Sequence, residues 1–303
     1  MTPRWSPPPR SLLPRTLLLA SGVHPRRLAS TEFTEVIPGF CTPTAAPAEL
    51  QVIARVLQRE AGPGSVISHA TAAEVLGLPL PAVQRYTILK QLHCTVPPER
   101  RRRMGPQVKV HARRPEATRR WLGLTMSSPV RLLSDLAGVL TPLELVQACD
   151  ALIGPVTARP RVTLGELTRL VEEATPMPGI KKVRRAILAA RERVESPKET
   201  ELRLLLIGKG FAEPGINVPV RAPATGEQFR LDLAYPSLKI AIEYDGDWHR
   251  TDRARFRRDR RKDDVLHELG WRVVRVTDSD LGSPDDLLGR LEHLGTPRLR
   301  ACR

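Results

Sequence analysis

The sequence predicts an α/β protein of the α+β type, organised as two domains. Three observations point there. The chain has 303 residues, about twice the ~150 of an ordinary domain. Leu50, Ile53, Ala54 and Leu57 recur at helical spacing, as do Leu164, Leu167, Leu170 and Val171. From Phe229 to Asp245, by contrast, apolar and polar residues alternate with the period of two that belongs to strands.

Taken in order, residues 1–11 are rich in Pro and read as a disordered terminus. Residues 12–46 follow as a short helix, a turn at Gly22, a second basic helix through Arg26 and Arg27, and an extended pair ending at Pro38 and Gly39. A mostly helical α+β region spans 47–194. In it Ser68 and His69 read as the cap of a helix that stops at Gly77. The segments LHCTVP and QVKVHARR read as strands separated by the loop PERRRRMG, whose Arg101 and Arg102 form a candidate phosphate clamp. A helical pair follows, with Pro142 at the first turn of its second member. The next amphipathic stretch is broken by Pro176 and Pro178. A boundary near Val194, with Ser196 and Pro197 marking the entry, opens the last domain, 195–303.

The chemistry is concentrated in that last domain. In FRLDLAY the alternation sets Phe229, Leu231 and Leu233 on one face and Arg230, Asp232 and Ala234 on the other. In the next run Leu238, Ile240, Ile242 and Tyr244 oppose Lys239, Ala241, Glu243 and Asp245. Pro236 and Ser237 supply the turn, so a hairpin brings Asp232 against Glu243 and Asp245. Like charges so close disfavour mutual ionisation. A hard divalent ion bound through oxygen removes the penalty, and salt bridges from Arg230, Lys239 and neighbouring arginines are the structural alternative.

Gly246 then turns the chain off the strand, and His249 stands where an imidazole could orient water or protonate a leaving oxygen. From Arg250 to Lys262 there are eight Arg or Lys against two Asp, in a helix ending at Gly270. Arg250, Arg253, Arg257, Arg258, Arg261 and Lys262 are the candidate nucleic-acid contacts. The formal net charge of +15 favours a polyanionic partner. With four Trp, three Tyr and five Phe, few rings are available for stacking unpaired bases, so duplex DNA is favoured over single strands.

Together SPKETELRLLL, RLDLAYP, IAIEYDGDWHR and GWRVVRVT, with Glu199, Asp232, Glu243, Asp245 and His249, resemble the domain related to very short patch repair endonucleases. That domain belongs to the PD-(D/E)xK nuclease superfamily. The resemblance implies a restriction-endonuclease-like mixed sheet flanked by helices, and magnesium or manganese held by Asp232, Glu243 and Asp245. It matches Glu199 to an acid on the first helix, although Ser196 three residues earlier equally makes Glu199 part of a capping box. Asp245 stands where many members carry a lysine, so either Asp245 ligates a metal and the missing positive charge comes from elsewhere, Lys239 or Arg275 being the candidates, or the hydrolytic activity is reduced. His249 resembles the histidine of the very short patch enzymes. Residues 12–46 resemble the winged-helix start of AbiEi-type antitoxins. The resemblance implies a metal-dependent DNA endonuclease of defence, repair or mobile-element control, or else a catalytically degenerate DNA-binding regulator of antitoxin type.

The remaining signals exclude other classes. Cys41, Cys94, Cys149 and Cys302 form no C-x-x-C pair and match no histidine spacing, which argues against a zinc site and a disulfide framework. Isolated cysteines suit a reducing cytoplasm. No apolar stretch is long enough to span a membrane. No G-x-S-x-G elbow is present, so nucleophilic catalysis is not expected.

Overall fold

The computed structural model describes residues 7–101, 103–114, 117–154, 161–246 and 253–299, with no side-chain description for Ala61 and 253–257. It is an α+β protein of two compact units, one of Met1–Ala148 with Leu170–Arg184, the other of Cys149–Arg169 with Arg185–Arg303. The unit holding the acidic hairpin therefore takes in more chain than 195–303.

The first unit opens with β1 (Leu13–Pro14), α1 (Arg15–Ala20), α2 (Pro25–Leu28), β2 (Phe33–Ile37) and β3 (Phe40–Pro43). The strands form a three-stranded sheet in the order β1-β3-β2. Leu18, Val23, Leu28, Phe33 and Cys41 are buried together beneath it. Order begins earlier than expected. Arg10 N–H donates to the Ala46 carbonyl (2.8 Å), and the Ser11 carbonyl accepts the Thr42 hydroxyl (2.9 Å).

After α3 (Leu50–Val56) come β4 (Val66–Ile67), α4 (His69–Val75), β5 (Leu92–Val96), β6 (Val108–Ala112), β7 (Thr118–Trp121), β8 (Leu124–Ser127) and α5 (Pro129–Leu136). The five strands are ordered β6-β5-β4-β8-β7. The two expected strands, β5 and β6, pair in parallel. The hairpin β7-β8 escaped the sequence reading because Arg119, Arg120 and Trp121 show no apolar alternation. Ser68 does stand at the N-cap of α4, but its side chain makes no capping bond. It accepts instead from the Thr95 hydroxyl (2.9 Å). The chain continues through α6 (Pro142–Ile153), α7 (Leu164–Glu172) and α8 (Ile180–Ala189).

The second unit is completed by α9 (Pro197–Gly208), β9 (Gly215–Arg221), β10 (Gln228–Tyr235), β11 (Ile240–Tyr244), α10 (Arg253–Glu268), β12 (Arg272–Val276), α11 (Asp278–Gly282) and α12 (Asp285–His293). Its sheet runs β12-β11-β10-β9. It is mixed: β9, β10 and β11 are antiparallel neighbours, while β12 lies parallel to β11. Leu233, Tyr235, Ile240 and Ile242 meet Leu202 and Leu206 of α9 and Leu287 and Leu291 of α12. Ala234 and Ala241 lie with Leu266 of α10 in a second cluster. Each such leucine, once buried, contributes on the order of 2 kcal/mol, so helices cover both faces of the sheet.

Asp150, near the end of α6, is fixed inside this unit. Its carboxylate accepts from Arg191 N–H (2.7 Å), the Thr200 hydroxyl (2.8 Å) and Arg203 (3.2 Å). This network places α6's end in the second unit, ahead of the boundary that Pro and Ser suggested.

Two details of the hairpin differ from the alternation. The second strand starts at Ile240, because Pro236–Leu238 form a 3-10 turn and Lys239 adopts a left-handed conformation (φ 50°). In β10, Phe229 packs with Val265 and Leu231 with Leu266, on the α10 side, whereas Leu233 and Tyr235 pack with α9 and α12. The strand thus changes face at Asp232. Across from it on β9, Asn217 takes a positive φ of 46°, and the ladder passes from Leu231↔Val218 to Leu233↔Ile216 without pairing the two.

Candidate functional site

Asp232 sits at this irregularity, and Glu243 lies across from it on β11. The register Leu233↔Ile242 sets the two acids side by side. Side chains replace the ladder there: Tyr244 N–H donates to Asp232 Oδ2 (2.9 Å), and Asp232 N–H to Glu243 Oε1 (3.3 Å). The expected acidic pair therefore forms.

Glu199, in the first turn of α9, joins it electrostatically. Ser196 Oγ accepts Glu199 N–H (3.2 Å), so the helix cap is real. The carboxylate interacts with the Ser196 side chain and also reaches beyond the cap. Oε2 accepts Glu195 N–H (3.0 Å) and Asn217 Nδ2 (2.7 Å). Asn217 in turn donates to the Arg193 carbonyl (2.7 Å). Its left-handed backbone, for which Asn is well suited, aims the amide at Glu199.

Burial pushes the Glu199 carboxyl up to about 7, and the charge of Asp232 adds to the rise. Burial and then Asp232 raise Glu243 to about 7 as well, against the pull of Lys262. Asp232 is raised by burial, with Tyr244 N–H and Lys262 acting the other way. Burial is the main cause at all three carboxyls, and the mutual repulsion of the acids adds to it at Glu199 and Glu243. A hard divalent cation is what such an oxygen set accommodates, so Asp232 and Glu243 fit magnesium or manganese.

The cation beside Glu243 is Lys262, on α10, which donates to Glu243 Oε2. Neither candidate named from the sequence fills this place. Lys239 donates to the Leu269 carbonyl (2.8 Å). Arg275 pairs with Asp263 and with Asp245 (3.9 Å). Lys262 is also one of the residues expected to touch nucleic acid, and besides pairing with Glu243 it lines the open cleft beside Asp232.

Asp245 also differs from expectation. It lies past the end of β11, beside Arg275, and takes no part in the hydrogen bonds joining Asp232 to Glu243. Arg258 is exposed and lines an open cleft of about 560 Å³ together with Glu195, Asn217, Arg230, Asp232 and Lys262. Arg261 pairs with Glu227 (3.3 Å) while staying 63% exposed. Arg101 is exposed just beyond a 3-10 turn. His249, Arg250, Arg102 and Cys302 lie outside the described residues, as do the side chains of Arg253 and Arg257.

No family model matches the chain, and no solved structure matches it. Two proteins of Mycobacterium tuberculosis do, the uncharacterized protein MT2308 of strain CDC 1551 / Oshkosh and the uncharacterized protein Rv2248 of strain ATCC 25618 / H37Rv. Each is 30% identical over 202 residues, which cover 65% of this chain and 72% of the relative. The chain belongs to the family of these two proteins. Nothing in their names assigns that family an activity.

The contacts of Asn217 with Glu199 and of Lys262 with Glu243 were not foreseen from the sequence. Asn217 stands in GINVPV with no motif to flag it. Lys262 had a weak signal, as the one lysine among the arginines of α10.

Proposed function

We propose that the chain is a magnesium-dependent endonuclease that hydrolyses phosphodiester bonds of duplex DNA, in defence, repair or mobile-element control. The observation that carries this reading is the trio Asp232, Glu243 and Lys262, two raised carboxyls and an ammonium, of which Asp232 and Lys262 line a cleft shared with Arg230, Arg258, Glu195 and Asp259. The mixed sheet covered by α9 and α10, with an acid on α9, supports the resemblance to PD-(D/E)xK nucleases.

Asp232 and Glu243 would hold magnesium or manganese, which when bound supplies Lewis-acid polarisation of the phosphodiester and acidifies water. The other parts belong to the chain. Lys262 fixes the Glu243 carboxylate and sets a positive charge beside the place where phosphoryl oxygens gain charge. Glu199, raised to about 7, exchanges a proton readily at neutral pH. Arg258 lines the cleft and suits a contact to the DNA backbone, as does Arg230, which also pairs with Glu195 (3.2 Å).

Purified protein should nick supercoiled plasmid in magnesium and not in EDTA. Asp232→Ala and Glu243→Ala should stop nicking while gel-shift affinity is kept. DNA binding without metal-dependent cleavage on any substrate would leave the antitoxin-type regulator as the reading.

A further inference from the structure

The first unit brings together three histidines far apart in sequence. His69 opens α4, His93 is on β5 and His111 on β6. One nitrogen of each lies within 4.8 Å of the others. His111 Nε2 is 3.2 Å from His93 Nδ1. The His69 and His111 rings stack with centroids 3.6 Å apart and planes 11° from parallel.

The surroundings hold this arrangement in place. His69 has a positive φ of 52°, an uncommon conformation for a residue with a side chain and one that tends to mark functional positions. Its Nδ1 lies 3.0 Å from Ser68 Oγ and 3.4 Å from Asp135 Oδ2. Asp135 is itself buried and held by Arg113 and Arg131, so it orients the ring and is not a free ligand. Because the serine and the aspartate meet the same ring nitrogen, no Ser-His-Asp proton relay is built here.

We propose that His69, His93 and His111 form a binding site for one first-row transition-metal ion of the zinc or cobalt class, with Asp135 as positioning residue. The donor set decides the class. Three imidazole nitrogens suit zinc, cobalt, nickel or copper. Magnesium and calcium want several carboxylate or carbonyl oxygens, and the carboxylate present is already neutralised by two arginines. Lys109 and Arg113 also lie within electrostatic reach of the rings. An ion held by charge alone would be repelled, whereas nitrogen coordination tolerates them. A carboxylate that fixes the orientation of a ligating imidazole is the usual outer support of such centres. The site is separate from Asp232 and Glu243, and the proposal stands whether or not the chain cleaves DNA.

The test uses full-length protein without a histidine tag, stripped with chelator and titrated with Zn²⁺ and with Co²⁺. One equivalent should bind at micromolar or lower concentration. Cobalt should show visible d–d absorption, and added zinc should raise the unfolding temperature. An Asp232→Asn, Glu243→Gln double variant should keep this uptake. His93→Gln and His111→Gln should lose it. Folded wild-type protein that takes up neither metal would overturn the proposal, a measurement that needs no variant to fold. So would uptake that persists in the histidine variants or disappears with the acidic pair.

Discussion

Lys262, eighteen residues past Tyr244 in the chain and on a different element, donates its ammonium to Oε2 of Glu243. If this contact serves phosphoryl transfer, Lys262→Met should lower plasmid nicking by about 10²- to 10³-fold, the usual cost of removing one preorganised charge stabiliser. Gel-shift affinity should change by only a few fold. A loss of binding equal to the loss of nicking would make Lys262 a simple phosphate contact.

Metal uptake by the acidic cluster should release protons. Glu199 and Glu243 stand near 7 in the metal-free protein, above their ordinary value, so near pH 6.5 each is largely protonated. Divalent ligation requires the ionised form. Magnesium added to weakly buffered protein should therefore acidify the solution at about pH 6.5 and much less at about pH 9. Because these folded-state values are raised, the same groups favour the folded state below about pH 4.5, and that contribution is lost as pH rises to about 7. Magnesium should restore stability above that range, read as unfolding temperature against pH.

The cap and the site can be separated on α9. Ser196→Ala removes the acceptor of Glu199 N–H and should cost about 1 kcal/mol in chemical denaturation, with nicking nearly unchanged. Glu199→Gln should reduce nicking clearly more than stability. Equal effects of both variants would reduce Glu199 to a helix-start residue.

Asp150 and Arg203 are each 1% exposed. Asp150→Ala removes the buried carboxylate partner of Arg203, leaving it the Ala189 carbonyl and the partly exposed Glu213. The loss should be about 3–5 kcal/mol in the second unit, the usual cost of breaking a buried pair. Denaturant titration followed by near-ultraviolet circular dichroism measures it.

Much of this was legible in the sequence because it is local. Period-two alternation placed Asp232 and Glu243 where a hairpin would pair them, and Ser196 announced the start of α9. Gly270, with its positive φ of 73°, closes α10 as a glycine at a helix end should. The alternation failed at one point. It assigned Leu231 and Leu233 to one face, and Asn217, on a neighbouring strand, is associated with the switch that separates them.

The sequence by itself determined that acidic residues would share one sheet surface and that a basic helix would follow, since strand periodicity and charge density are properties of contiguous residues. Tertiary structure alone decided which cation meets them. Leu266 and Val265 bury one side of α10 against the sheet, and that rotation points Lys262, rather than Lys239 or Arg275, at Glu243. The same holds for His69, His93 and His111. Their spacing matches no ligand motif, and only the parallel pairing of β5 with β6, beside the start of α4, brings the three rings together.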